Sequence, residues 1–336
     1  MDALIQNGID WIIAIQSLGS WLELPMEFFT FLGSENFFFI VLPLIYWSVD
    51  AGVGLRVAFI LATSDSLKFI FKLLFAGPRP YWISSQVQAL SVENSFGIPS
   101  GHAQDAAALW STMAARAHRA GKRWVWITAV ALVFFIGFSR LYLGMHFVHD
   151  VIAGWLVGYA ILLAFLRFWD PVAAWLKTKT PGRQVMIAFL VSLLMIVTGV
   201  LSSLHLDGYV FPAAWTGNAL RSGPLPAPAS IEGIFTTAGS LFGLATGAAW
   251  IASRGGYQTA GPVEKRALRY VIGLIGVVIL WEGLGAVLPR GETWLPLILR
   301  YIRYALVGFW ITAGAPWLFF HFNLARRPNI QDVSLL

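Results

Sequence analysis

The sequence predicts an all-α fold: a polytopic transmembrane helix bundle of about nine membrane helices, preceded by an N-terminal interfacial helix. Three observations carry this reading. Of 336 residues 57% are hydrophobic and 12% charged, and mean hydropathy is +0.69, outside the range of soluble globular chains. Apolar runs recur at lengths that approach the roughly 20 residues needed to cross a hydrocarbon core. Lys and Arg fall in short loops between those runs, so the net charge of +6 reports topology and not a nucleic-acid surface. The absence of Cys excludes disulfides, thiolate metal sites and Cys nucleophiles.

Taken in order, residues 1–32 mix Trp11, Trp21, Phe28 and Phe29 with acids, which suits a helix lying in the interface, a tenth crossing being the alternative. No cleavable signal peptide is expected there, because a basic start is missing and Asp10, Gln16 and Glu23 break the first apolar stretch. Apolar length and breakers place membrane helices at about 35–49, 54–76, 101–117, 124–143, 147–168, 185–204, 231–252, 268–288 and 299–320. The third carries Gln104, Asp105 and Arg116, which is acceptable only if its polar face looks into the bundle.

Basic residues such as Arg116, Arg119, Lys122, Arg123, Lys177, Lys179, Arg183, Lys265 and Arg266 share one side of this threading, which is therefore cytoplasmic. Loops 77–100, 144–147, 205–230 and 289–298 then face away from the cytoplasm, and the last but one of these reads as an irregular Pro/Gly/Ala loop. Asp170, Pro171, Pro181 and Gly182 interrupt the apolar pattern and separate a segment 33–170, which holds the polar chemistry, from a four-helix region 185–322 without a motif. Within the latter, Gly239, Gly243 and Gly247 have the spacing of helix packing inside one chain.

Three polar clusters lie at the same membrane face. Lys72 and Arg79, in KLLFAGPRP, flank a helix end stopped by Gly77 and Pro78 and can both address one anion. Pro99, Ser100, Gly101 and His102 open the third helix, whose first-turn N–H groups form an anion site that Gly101 lets a ligand approach. Ser139 and Arg140 close the fourth helix, and His146 and Asp150, four residues apart on the fifth, share a face, so the carboxylate can fix the ring's tautomer.

Three cations, a helix N-terminus, a hydroxyl and two imidazoles are what phosphoryl transfer requires. In this reading His146 attacks phosphorus, and His102 protonates the leaving oxygen and then activates water. No metal or other cofactor is needed, because Lys72, Arg79 and Arg140 neutralise the phosphoryl charge.

The arrangement K72-x6-R79-P80, P99-S100-G101-H102 and S139-R140-x5-H146-x3-D150 resembles the type 2 phosphatidic acid phosphatase superfamily, over roughly 30–168. The resemblance implies that Lys72, Arg79, Ser100, Gly101 and Arg140 bind phosphate, with His102 as acid and His146 as nucleophile assisted by Asp150. The expected partners are a lipid bilayer and an amphiphilic phosphate substrate, a lipid phosphate or polyprenyl pyrophosphate, and not nucleic acid. GPRPYW and the nine-helix layout also look like glucose-6-phosphatases, which makes a sugar phosphate the rival substrate; a non-catalytic lipid-binding or transport protein is the rival from another class. Other polar residues have plainer readings: Asp65 with Lys68 as an ion pair, Asp105 as a tuner of His102 or an internal hydrogen-bond partner, and His149 as an interfacial residue.

Overall fold

The computed structural model describes residues 3–119 and 121–327, among which there is helix and no strand. Helix α1 (Ala3–Gln16) buries Ile9 and Ile12 and leaves Trp11 outside. Helix α2 (Glu23–Leu32) and helix α3 (Glu35–Leu44, continued by a π-type turn Ile45–Val49) meet at a bend of 51° and together have the length and apolarity of one crossing. The described part of the expected interfacial segment 1–32 is thus two α-helices with a 3-10 turn (Ser20–Leu22) between them, the second helix being half of a bent pair. Helix α4 (Ala51–Phe75) ends where Ala76 takes a left-handed φ of 46°, just ahead of Gly77 and Pro78, and the one-turn helix α5 (Pro80–Ile83) follows.

Helix α6 (Gly101–Arg119) and helix α7 (Val125–Tyr142) precede the 30-residue helix α8 (Val148–Lys177). The sequence predicts a stop near 168, yet α8 runs through Pro171 to Lys177, and the chain restarts with Pro181 in the first turn of helix α9 (Pro181–Ser203). The loop expected at 205–230 contains helix α10 (Ala213–Ser222). Helix α11 (Glu232–Ala252) is followed by two interrupted helices: α12 (Val263–Val278) and α13 (Leu284–Val287), then α14 (Trp294–Phe309) and α15 (Ala315–His321), each pair joined by a π-type turn.

All nine predicted membrane segments are helical, but among the described residues six helices, or seven with the bent pair, are long and apolar enough to cross a membrane. The two that fall short are α4 and α6, and the reason is visible in their polar side chains. Asp65, Lys68 and Lys72 of α4, and Gln104 and Asp105 of α6, are all buried within the protein, so these helices spend on internal polar contacts the residues that would otherwise face lipid.

The chain forms two compact units, to which α3, α4, α8 and α9 contribute residues in turn. One comprises the chain up to Phe37, Leu67–Phe165 and Gly199–Ile231; the other comprises Phe38–Ser66, Leu166–Thr198 and the chain from Glu232 onward. In the second unit a Cβ on Gly239, Gly243 or Gly247 of α11 would strike Tyr301, Ala305 or Thr312, and one on Gly308 would come within 2.7 Å of the Ser240 carbonyl oxygen and the Leu244 nitrogen. The small-residue spacing is therefore a seam between two helices of this chain. Arg269, fully buried in the same unit, donates to the carbonyls of Trp47, Thr259 and Ala260 at 3.3, 3.0 and 2.7 Å.

In the first unit, α6, α7 and α8 pack with comparable closeness. A Cβ on Gly154 would lie 2.5 Å from the Ser100 carbonyl oxygen, and one on Gly137 would meet Trp155 and Val151 at 2.5 and 2.8 Å. Gly158 faces the Gln104 carbonyl in the same way, so G154-x3-G158 seats the N-terminal part of α8 against the first turns of α6.

Candidate active site

Every residue singled out for phosphate chemistry belongs to the first unit. Lys72, in the last turn of α4, points its ammonium at the loop ahead of α6, donating to Ser95 Oγ and the Phe96 carbonyl at 2.8 Å each. Arg79, fully buried, is held on all three nitrogens: Nε donates to the Ser95 carbonyl at 2.7 Å, Nη1 to the Met145 carbonyl at 3.0 Å, and Nη2 to the Phe96 carbonyl at 3.0 Å. Arg140, at the end of α7, donates through Nη1 to Thr30 Oγ1 of α2 at 2.6 Å. A planar guanidinium tethered in this manner presents its remaining N–H groups in fixed directions.

His146 stands between a carboxylate and a cation. Its Nδ1 lies 3.3 Å from Asp150 Oδ2, and its Nε2 lies 3.2 Å from Arg79 Nη1. A guanidinium has only donors, so Nε2 must offer its lone pair to Arg79 and the ring proton must sit on Nδ1, facing Asp150. That is the tautomer a nucleophile needs. Asp150 is itself oriented by the Phe147 N–H, which donates to Oδ2 at 2.9 Å, while its carbonyl receives the Ser100 N–H at 2.9 Å and so ties α8 to the start of α6. Burial, reinforced by the Arg79 charge, pushes the His146 imidazole well below its ordinary value, so the ring is neutral at physiological pH.

Ser100 and Gly101 open α6 as expected, and the buried Ser100 hydroxyl has no hydrogen-bond partner among the described residues. Gly101 has a further reason to be glycine: the Lys68 side chain lies where its Cβ would go. Lys68 in turn pairs with the exposed Glu35 at 2.9 Å and lies 4.0 Å from the buried Asp105. The hydroxyl of Ser139 is taken by the Ile136 carbonyl at 2.7 Å. His149 is half exposed, stacks on Phe147 and sets its Nε2 3.3 Å from the second oxygen of Asp150, so it is nearer to the site than its interfacial reading allowed.

The group that sequence reasoning missed is Glu93. One carboxylate oxygen lies 2.6 Å from Arg79 Nη2 and 3.9 Å from Lys72 Nζ; the other pairs closely with Arg140 Nη2 and lies 3.9 Å from His102 Nδ1. Burial alone would raise its pKa, but Arg79, Arg140 and Lys72 outweigh burial and hold the carboxyl well below the usual carboxylate range, so it is ionised. A single acid in an irregular loop has no spacing to announce it. The available signal was charge: three cations converge, and the one motif carboxylate, Asp150, is committed to His146.

A second unforeseen contribution comes from the segment after α9. Arg79 lies over the ring of the fully buried Trp82, which is enclosed by Phe211 and Trp215, and Asn218 of α10 donates to the carbonyls of Trp82 and Ile83 at 3.2 and 3.1 Å. Tyr209 packs edge-on against Phe96, whose carbonyl holds Lys72 and Arg79. The predicted loop thus walls the cation-bearing turn.

Comparison with known proteins matches residues 53–174 to the family model described as PAP2 superfamily, and residues 235–327 to one described as PAP2 superfamily phosphatase, transmembrane extension. Phosphatidylglycerophosphatase B of Bacillus subtilis is 32% identical over 160 residues, 44% of this chain and 73% of the relative. The chain belongs to the PAP2 superfamily. This PAP2 chain is also 34% and 33% identical, over 180 residues, to glucose-6-phosphatase 3 of Bos taurus and of Homo sapiens, in each case 47% of this chain and 52% of the relative. It spans about half the length of those relatives. A solved structure, the first transmembrane PAP2 type phosphatidylglycerolphosphate phosphatase from Bacillus subtilis, is 24% identical, with a TM-score of 0.44, and covers 51% of this chain and 89% of its own.

Proposed function

We propose that this chain is an integral membrane phosphatase that hydrolyses a phosphate ester or anhydride through a phosphohistidine intermediate. The observation that carries the proposal is the convergence of Lys72, Arg79 and Arg140 with two imidazoles, one of them, His146, held neutral with its Nε2 lone pair turned to the cations. Family membership and the phosphatases among its relatives support the reaction class.

In the first step His146 Nε2 forms a bond to phosphorus while the ester P–O bond breaks, and His102 gives its proton to the departing oxygen. In the second, a water loses a proton to His102 and attacks phosphorus, the N–P bond breaks, and phosphate leaves. Water is the only co-reactant. Lys72, Arg79, Arg140, the Ser100 hydroxyl and the first-turn N–H groups of α6 hold the equatorial oxygens, where charge must be stabilised by fixed donors. Asp150 keeps the proton on Nδ1 and stabilises the phosphorylated ring.

The threading that supports this function has nine crossings, the chemistry lying in 33–170 and a four-helix extension in 185–322, with the site opening on the extracytoplasmic face by the distribution of Lys and Arg. A lipid phosphate or polyprenyl pyrophosphate is the favoured substrate, because a site among apolar helices admits an amphiphile and because the relative covered over 73% of its length is named for a lipid phosphate. The glucose-6-phosphatase relatives favour a sugar phosphate as the second reading. Phosphate release by the purified protein from phosphatidate, phosphatidylglycerophosphate, undecaprenyl pyrophosphate and glucose 6-phosphate separates them; release from none of the four, with vanadate failing to bind, would remove the proposal.

A further inference from the structure

Between α5 and α6 the chain has no regular structure, and the loop carrying Glu93, Ser95 and Phe96 is fastened to the cations by the hydrogen bonds from Lys72 and Arg79 described above. Its most telling contact is Glu93. The two oxygens of a single carboxylate bridge Arg79 and Arg140 and stand within 3.9 Å of Lys72 Nζ and His102 Nδ1. Those four groups are the ones a phosphoryl group must meet. A carboxylate bridging two guanidiniums has the geometry of two phosphate oxygens, since both anions accept paired N–H bonds from arginine.

We propose that Glu93 is an internal competitor for the phosphate site, filling the cradle when no substrate is present and yielding it when a phosphate dianion enters. This rests on the phosphatase reading above. Two anions cannot share one set of donors a few ångströms apart, so entry of phosphate requires the carboxylate to leave. The exit is short, because the Glu93 side chain is 23% exposed while those of Arg79, Lys72 and Arg140 are 4% exposed or less. Occupied in this way, three buried cations are never left unpaired, which would be costly. The competitor also sets specificity: only an anion that binds the two arginines better than a carboxylate displaces it, so phosphate dianions enter and carboxylates do not.

The test is calorimetric titration of the full-length, detergent-solubilised protein with inorganic phosphate and with orthovanadate, comparing wild type, Glu93→Gln, Glu93→Ala and Glu93→Asp, with thermal unfolding recorded for each. Gln keeps the shape without the charge; Asp keeps the charge but is one methylene too short to bridge both arginines. The expected result is phosphate affinity higher by at least about tenfold in the Gln and Ala variants, about 1.4 kcal/mol, and intermediate in Asp. Phosphate should also raise the unfolding temperature of the Gln variant more than that of wild type. If the uncharged variants do not fold alone, phosphate or vanadate during purification should rescue them, since the ligand replaces the missing anion; failure of that rescue overturns the proposal, as does equal or weaker affinity in folded variants. If wild type and all variants alike bind neither anion, the phosphate-site reading itself falls; if wild type binds but the variants bind no tighter, only the role of Glu93 does.

Discussion

Asp150→Asn isolates the carboxylate behind the proposed nucleophile, His146. The amide can keep its oxygen where Oδ2 now accepts the Phe147 N–H at 2.9 Å and faces His146 Nδ1 at 3.3 Å, so local folding is preserved and the charge alone is lost. When His146 takes the phosphoryl group its ring acquires positive charge, which Asp150 stabilises at 3.3 Å. At an effective dielectric of about 20 that pair is worth about 5 kcal/mol, a ceiling of roughly 10⁴ in rate. Screening removes little of it, because both side chains are 1% exposed or less. The dipole of the asparagine amide restores part, so phosphoenzyme formation should slow by about 10² to 10³ with little change in substrate affinity. Rapid-quench measurement with radiolabelled substrate, trapping the acid-labile N–P bond, reads the step directly. Phosphoenzyme formed at the wild-type rate would refute the argument that Asp150 supports the charged ring.

The two histidines should separate by leaving group. His146→Ala should abolish turnover on every substrate, whereas His102→Ala should lose on the order of 10² to 10⁴ on an alkyl phosphate and less on an aryl phosphate, which should release a burst of phenolate and stall as phosphoenzyme; a phosphoenzyme on His146→Ala would reverse the roles. The pH dependence follows from burial of His146, whose pKa is lowered in the folded protein. In the proposed mechanism the neutral His146 ring is the reactive form, so the acid limb of kcat/KM should lie below the ordinary imidazole value of about 6.5, any alkaline limb reporting the acid His102 instead; an acid limb with its midpoint at or above that value would contradict the assigned environment. If Lys72, Arg79 and Arg140 supply the charge neutralisation, as proposed, turnover should persist in excess chelator, and loss of activity restored by Mg²⁺ would show otherwise. Gly158→Leu forces a side chain into the Gln104 carbonyl at the start of α6, and should destabilise the first unit by several kcal/mol and disturb phosphate binding with it, whereas the same change at the open Gly182 should do neither.

Much of this site could be read from the chain because its residues sit at helix ends with fixed spacings. Lys72 and Arg79 straddle a stop made by Gly77 and Pro78, His146 and Asp150 are one turn apart, and Ser100 to His102 open a helix; such signals are local, and local geometry is what a sequence encodes most directly. Glu93 was illegible because its hydrogen-bonding arginines, Arg79 and Arg140, are 14 and 47 residues distant and its loop has no period. The wall around Trp82 was hidden for the same reason, since Asn218 reaches it across 136 residues and nothing in a Pro-rich stretch marks α10 as a helix that packs there. Apolar length placed helices at all nine expected segments, but α4 and α6, whose buried charges lower their mean hydropathy, are not apolar enough to count as spans by composition. Proline misled in the opposite direction at Pro171, where helix continues through a residue that usually ends it.

The seam along Gly239, Gly243, Gly247 and Gly308 has a consequence for how this half of the chain tolerates insertion and deletion. Two rods lying spine to spine have no side-chain layer to absorb an error of rotation. One residue added to α11 between Gly239 and Gly243 would turn everything beyond it by about 100° and swing Gly243 and Gly247 off the contact line. Seven added residues would bring the downstream glycines back to within about 20° of their bearing. Length variation here should therefore be quantised, with inherited gaps accepted in near-whole double turns and rejected in between, while the loops at either end of the pair remain free to drift.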